Sequence, residues 1–228
     1  MPRSGSPAEQ IKRRTRAAWN GEARHYDITA ARALTAAKSA AWSAWLQNLI
    51  GRTPMAALDV GTGTGFVALR LAELGHAVTA IDQAERMLAI TQRQVVDRDL
   101  SVWLARADAE VLPFANDSSD VVISRWLLPE PDHAFAEWIR VLRPGGLLIA
   151  VSSLESSARW SRQRAPAKGE MACVEPWRDR TARSQQASSS VATGSVGCSA
   201  VEIRRTCRSP LSTKIASMPT VPSSSAAG

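Results

Sequence analysis

Apolar positions along this 228-residue chain are clearly patterned only as far as about residue 151. Near the N-terminus, Ile11, Thr15, Ala18, Trp19 and Glu22 recur at helical spacing and predict a helix with one mixed face, which leaves Lys12, Arg13, Arg14 and Arg16 mostly toward solvent. A second, alanine-rich helix is expected from about Ala30 to Leu49, with Trp42, Trp45 and Leu46 serving core packing. The period then changes. Ala57, Leu58 and Val60 make a short apolar strand, FVALRLAEL places Val67, Leu71 and Leu74 at helical spacing, and HAVTAID predicts a second strand ending at Asp82. Strand and helix in alternation predict an α/β layer structure.

Between the first strand and its helix lies ALDVGTGTG, from Ala57 to Gly65. Gly61, Gly63 and Gly65 lack Cβ atoms, so the backbone can turn sharply there and a ligand can approach its N–H groups. A nucleotide-like cofactor is implied. Asp82 follows Gly65 by 17 residues at the end of the next strand, where a ribose can donate two hydroxyl hydrogen bonds to it. The plainer alternative is a strand-end aspartate that caps the next helix. The usual dinucleotide fingerprint would put its third glycine at position 66, and this chain has Phe66. That disfavours an NAD(P)-dependent oxidoreductase, because a pyrophosphate is best received by a helix N-terminus cleared of side chains. A GxGxG loop headed by an acidic residue, Asp59, suits a cofactor without phosphates.

With these residues in place the chain resembles the class I S-adenosylmethionine-dependent methyltransferases. The resemblance implies a doubly wound, Rossmann-like α/β sheet, S-adenosyl-L-methionine as cofactor, and methyl transfer as the activity. It assigns Asp59, Gly61, Thr62, Gly63 and Gly65 to the amino-acid end of the cofactor, and Asp82 with Gln83 to the ribose. Met87 would pack against the adenine ring or the core. Ala107, Asp108, Ala109 and Glu110, followed by VLPF, are similar to the family's third cofactor motif, in which Asp108 would accept from the adenine amino group beside Ala109. SSDVVISRWLL looks like the fourth strand and its outgoing loop, with Arg125 near the cofactor's edge and Trp126 and Leu127 as candidates for the acceptor pocket. WIRVLRPGGLLIAV matches a helix, a turn and the fifth strand, the helix being stopped by Pro144, Gly145 and Gly146. Trp19, Ala23, Tyr26 and Asp27 resemble a W…A…YD signature that closes a lid over the cofactor, so that Tyr26 would touch the methionine end or the substrate. The alternative is a helix that simply packs through Trp19 and Tyr26. The motifs are closest in wording to the ubiquinone and menaquinone enzymes of the type 11 group, which implies a small-molecule acceptor.

Three regions follow: residues 1–50 as a helical lid, 51–151 as the cofactor-binding core, and 152–228 as a low-complexity basic tail. The tail holds 17 serines and all three cysteines, Cys173, Cys198 and Cys207, and segments such as SQQASSSVATGSVG and MPTVPSSSAAG read as disordered. The family continues here with a helix and two further strands, the last antiparallel. Only AVEIRRTCR offers a strand and Ser157 to Arg164 a helix, so the sheet is expected to be incomplete at its C-terminal edge. A natural interaction tail is one reading. A shifted reading frame in a GC-rich gene is the preferred one, because it accounts for text rich in Arg, Ser, Ala and Pro with stray cysteines; it leaves a truncated or frame-altered, non-catalytic relative as the alternative to an active methyltransferase.

Charge and composition narrow the partners. The net charge of +7 divides unevenly, since residues 1–150 carry 17 Lys and Arg against 16 Asp and Glu, and the remainder carries 11 against 5. A basic face on the catalytic core is therefore unsupported, the loop after the fourth strand lacks an NPPY-type motif, and no nucleic-acid partner is expected. Neither a membrane span nor a signal peptide is read from the sequence, and the expectation is one modest cytoplasmic domain of unspecified oligomeric state. The cysteine spacing points to neither a metal site nor a disulfide framework. The chain has three histidines, His25, His76 and His133, and His76 is expected on a surface loop. No residue is singled out as a catalytic base, because displacement at a sulfonium calls mainly for orientation and desolvation.

Overall fold

The structure is a computed structural model that describes residues 6–33, 36–125, 131–153, 198–204 and 212–217. Two helices, α1 (Pro7–Ala33) and α2 (Ala36–Ile50), precede β1 (Ala56–Val60), α3 (Phe66–Glu73), β2 (Ala77–Asp82), α4 (Glu85–Asp97), β3 (Val102–Arg106), β4 (Ser119–Arg125), α5 (Pro131–Val141) and β5 (Leu142–Ser153). Strands β6 (Cys198–Arg204) and β7 (Ser212–Ser217) follow, and the sheet order is β3-β2-β1-β4-β5-β6-β7. The first five strands are mutually parallel. This is the α/β layering expected from the alternating pattern and the doubly wound sheet that the resemblance implies, and its strand order reverses between β1 and β4.

Strand alternation sends side chains to two separate cores. Ala57, Val78, Ala80, Val121 and Ile123 pack with Trp45, Leu46, Val67 and Leu71 of α2 and α3. Leu58, Val60, Ile81, Val122 and Leu148 pack on the opposite side, against Trp138 and Val141 of α5. Both faces of the parallel sheet are thus covered, which is why its strands read as apolar runs without polar alternation.

Several boundaries differ from the sequence expectation. The second helix begins at Ala36 rather than about Ala30, and α5 ends at Val141, just ahead of the Arg143-Pro144-Gly145-Gly146 turn. That turn bulges out of β5, because Ser119 pairs with Leu142 and Val121 with Leu147. A Cβ on Gly146 would lie 2.8 Å from the Arg143 carbonyl oxygen, so the tight turn excludes a side chain there. The sheet also reaches two strands further than anticipated: β6, which overlaps AVEIR, runs antiparallel to β5, and β7 antiparallel to β6. The segments from Ser157 to Arg164, SQQASSSVATGSVG and MPTVPSSSAAG lie outside the described residues.

Helix α1 departs most from the hydrophobic reading. Ile11 and Trp19 are 62% and 46% exposed, and the face turned inward carries Lys12, Arg16, Asn20, Ala23 and Tyr26. The expectation that Lys12 and Arg16 point to solvent is corrected on this point. The partner of α1 is α4 and the polar ends of strands rather than an apolar sheet face, so the inward stripe is itself polar. His76, expected on a surface loop, is also corrected: it is only 4% exposed. Gly75 adopts φ +88 at the end of the α3 turn, and the reversal carries His76 inward, where its N–H donates to Leu71 O at 3.1 Å. Among the described residues no helix is long and apolar enough to cross a membrane.

Candidate functional site

The carboxyl ends of β1, β2 and β4 converge where the strand order reverses, which is where open parallel sheets receive ligands. Gly61, Gly63 and Gly65 all have positive φ (72, 57 and 87°) in the turn from β1 to α3. Gly63 is open, with nothing within 4 Å of an added Cβ, so ligand atoms can reach its backbone. Gly65 has the opposite surroundings. A Cβ there would meet Thr91 Cγ2 at 2.7 Å, so this glycine allows α4 to press against the loop.

Carboxylates hold the loop from both sides. Asp59 is 1% exposed, and its Oδ2 accepts from Thr62 Oγ1 at 2.7 Å and from Ala68 N at 3.1 Å. Burial pushes its carboxyl up to about 6, against the opposing effects of those two hydrogen bonds and of the Arg125 charge. Asp82 stands at the end of β2, where Oδ2 accepts from Gly63 N at 2.9 Å and Oδ1 from Ala84 N at 2.8 Å. Burial raises its pKa too, with the backbone bonds from Ala84, Gly63 and Gln83 acting the other way. Asp82 thus braces the start of α4, as the plainer sequence reading expected, and its carboxylate also sits against the open glycine.

The third motif is fixed by α5. Glu137 and Arg140 clamp the segment after β3: Leu112 N donates to Glu137 Oε2 at 2.8 Å, and Arg140 donates to Leu112 O and Phe114 O at 3.0 and 2.8 Å. Trp138 Nε1 donates to Ala109 O at 3.1 Å. Asp108 is thereby placed beyond β3, where Lys12 of α1 reaches it with Nζ 2.7 Å from Oδ2.

Helix α1 lies along this edge and is tied down at successive points. Asn20 Oδ1 accepts from Arg86 N at 2.9 Å, supplying the cap that Ala84, at the start of α4, has no side chain to provide. Ala23 and Tyr26 pack against Ala84, Met87 and Ile90. Asp27 accepts from Gln94 Nε2 at 3.2 Å, and the same amide nitrogen donates to Thr64 O at 3.1 Å. Arg125 Nη2 donates to the Tyr26 hydroxyl at 3.4 Å, and its guanidinium lies 4.1 Å from the centre of the Phe66 ring. Arg70 sits at 3.9 Å from the same ring and is itself buried, which lowers its pKa to about 10.

The predicted residues therefore fall into groups. Asp59, Gly61, Thr62, Gly63, Gly65, Asp82 and Gln83 form one unit at the ends of β1 and β2, with Asp108 and Ala109 beyond β3 and Tyr26 and Arg125 on the β4 side. Met87 is buried beneath α1 at 3% exposure. Trp126 and Leu127 lie outside the described residues. Sequence reasoning missed Thr91, whose hydroxyl donates to Gly63 O at 2.8 Å, and also Gln94, Asn20 and the contacts of Lys12. A polar residue two helical turns into α4 was the available signal for Thr91.

A family model described as "Methyltransferase domain" matches residues 58–150. A malonyl-[acyl-carrier protein] O-methyltransferase from Geobacter sulfurreducens is 37% identical over 146 residues, covering 58% of this chain and 51% of that protein. A demethylmenaquinone methyltransferase from Renibacterium salmoninarum is 34% identical over 128 residues, covering 54% and 52%. An uncharacterized Mycobacterium tuberculosis protein is 37% identical over 98 residues, covering 42% and 36%. The chain thus spans about half, or less, of the length of these relatives. Among solved structures, a candidate S-adenosyl-L-methionine-dependent methyltransferase from Methanococcus maripaludis shares the fold, with a TM-score of 0.53 and 23% identity over 57% of this chain and 62% of the other. The fold is that of the class I S-adenosylmethionine-dependent methyltransferases. Residues 58–150 match the type 11 group of that class.

Proposed function

We propose that the protein transfers a methyl group from S-adenosyl-L-methionine to a small-molecule acceptor. The observation that carries this reading is the joining of Asp82 to Gly63 through a 2.9 Å hydrogen bond, which sets a carboxylate beside a glycine with open space at its Cα. The acceptor set fits this cofactor: the carboxylates on either side of the turn suit hydroxyl and ammonium donors, whereas a phosphate would be repelled by Asp82 and Asp59. On this reading Asp82 and Gln83 hold the ribose hydroxyls, Asp108 takes the adenine amino group, and the turn from Gly61 to Gly65 holds the amino-acid end. Asp59 acts chiefly by fixing that turn. Tyr26 and Arg125 close the opposite side, and Met87 supports α1 from below. The bound cofactor supplies an electrophilic methyl group on a sulfonium.

What the chain itself contributes is orientation and exclusion of water under α1. Of the histidines, His25 is exposed on α1, and His76 lies at the amino end of β2, opposite the strand ends that form the crevice. Neither is assigned as a base. The helical region 1–50 is taken as the lid, 51–151 as the binding core, and the protein as cytoplasmic. Calorimetric titration with S-adenosyl-L-methionine tests the reading. Saturable binding of about −7 to −8 kcal/mol that Asp82→Ala abolishes is the expected result, and absence of binding by folded wild-type protein refutes it.

A further inference from the structure

At 27 residues, α1 is about 40 Å long, enough to pass the whole mouth of the crevice. Among the described side chains its apolar anchor is Ala23 and Tyr26 in its second half, against Ala84, Met87 and Ile90. In its first half Ile11 is exposed and Lys12 turns inward. The Lys12 ammonium bridges two carboxylates, 2.7 Å from Asp108 Oδ2 and 2.6 Å from Glu110 Oε2. Burial works against this charge, but the hydrogen bonds and charges of Asp108 and Glu110 outweigh it and hold the Lys12 pKa above its usual value. Asp108 has its other oxygen, Oδ1, engaged by Glu110 N at 3.0 Å within its own turn.

We propose that Lys12 is a self-supplied competitor at the adenine end: its ammonium occupies the Asp108 oxygen that the adenine amino group requires, and so latches α1 shut until cofactor displaces it. This rests on the methyltransferase reading given above. The two donors are alike in what they offer Asp108, an N–H at hydrogen-bond distance. Glu110 gives Lys12 a place to remain when Asp108 is taken, so entry transfers the ammonium to one carboxylate without stranding it. The side chains of Lys12, Asp108 and Glu110 are 30%, 29% and 22% exposed, and a bridge this open to water is weak enough for a ligand to displace. Freed of Lys12, the first half of α1 has little apolar contact to keep it seated, whereas Asn20, Tyr26 and Asp27 hold the second half in place.

The test uses the full chain and S-adenosyl-L-homocysteine as probe, with affinity and association rate measured at low and high salt. Lys12→Met binds about 3- to 10-fold more tightly than wild type, and wild-type association speeds up with added salt while the variant's does not. Glu110→Gln, which leaves Asp108 untouched but removes the second resting place of the ammonium, moves in the opposite direction and binds more weakly than wild type. Hydrogen exchange without ligand provides a separate readout, in which residues 7–19 exchange faster in Lys12→Met than in wild type. Equal or weaker binding by Lys12→Met overturns the proposal. If folded wild type and both variants all fail to bind, the methyltransferase reading falls together with the competition, and unchanged exchange over residues 7–19 removes the latch as well.

Discussion

Replacing Gly65 with alanine separates two constraints that meet at one atom. Gly65 has φ +87, and its absent Cβ would stand 2.7 Å from Thr91 Cγ2 and 3.3 Å from both Leu69 Cδ1 and Thr91 Oγ1. The left-handed backbone costs an alanine about 1–2 kcal/mol, and forcing a methyl into that contact costs about 1–3 kcal/mol more. A combined loss of about 3 kcal/mol corresponds to a fall in melting temperature of about 6–12 °C for a chain of this size. Thr91→Ser removes Cγ2 while keeping the hydroxyl that donates to Gly63 O at 2.8 Å. The double variant should therefore regain the steric part and leave the backbone part, a coupling of about 1–2 kcal/mol in a double-mutant cycle. Urea unfolding of the four proteins measures it. A Gly65→Ala loss below about 0.5 kcal/mol refutes the strained-turn argument, and zero coupling refutes the claim that Thr91 is what the glycine accommodates.

Other consequences are as direct. Because the Asp59 carboxyl is raised from 3.8 to about 6 in the fold, the folded state binds its proton more readily than the unfolded chain. Stability is thus lost as pH climbs through that interval, by up to about 3 kcal/mol. Asp59→Asn keeps an acceptor for Thr62 and Ala68, and should raise the urea midpoint at pH 7.5 but not at pH 4. His76 shows the reverse dependence: burial lowers its pKa from 6.5, so stability is full above that value and declines as pH falls toward the lowered folded pKa. Both of its ring nitrogens are buried without a partner, and His76→Leu should remove the acid-side decline without loss at pH 8. Asn20→Ala should cost about 1 kcal/mol, read as a lower urea midpoint, by uncapping α4 from a position 66 residues away.

The parts of the site legible in the sequence were those set by backbone geometry within a few residues. Gly61, Gly63 and Gly65 mark positive φ, and a carboxylate at the end of a short apolar strand falls beside them whatever the rest of the chain does. The apolar strands at Ala57–Val60 and HAVTAID were legible for a similar reason, since a parallel strand covered on both faces has little polar alternation to conceal it. What escaped depended on partners far along the chain. Lys12 and Arg16 read as solvent-facing because nothing nearby shows that carboxylates 96 and 98 residues beyond Lys12 lie under this helix. Asn20 looks like an ordinary mid-helix polar residue until Arg86 is set against it. His76 turns inward on the reversal at Gly75, and whereas AVEIR showed itself as a strand, the Ser, Thr and Lys text of β7 hides one whose pairing depends on β6.

The polar ties of α1 also order the events of synthesis. Every residue that holds this helix in place, Arg86, Gln94, Asp108, Glu110 and Arg125, is translated well after it. The helix is finished early but is not fully tied down until the chain has been made through β4, and its nine charged residues keep it soluble during the wait. Contacts of such long sequence separation close late in folding. Strands β1 and β2 with the glycine turn, finished by Asp82, can therefore be in place while the strap over them is still free, so that a nascent protein exposes this part of its crevice before it covers it.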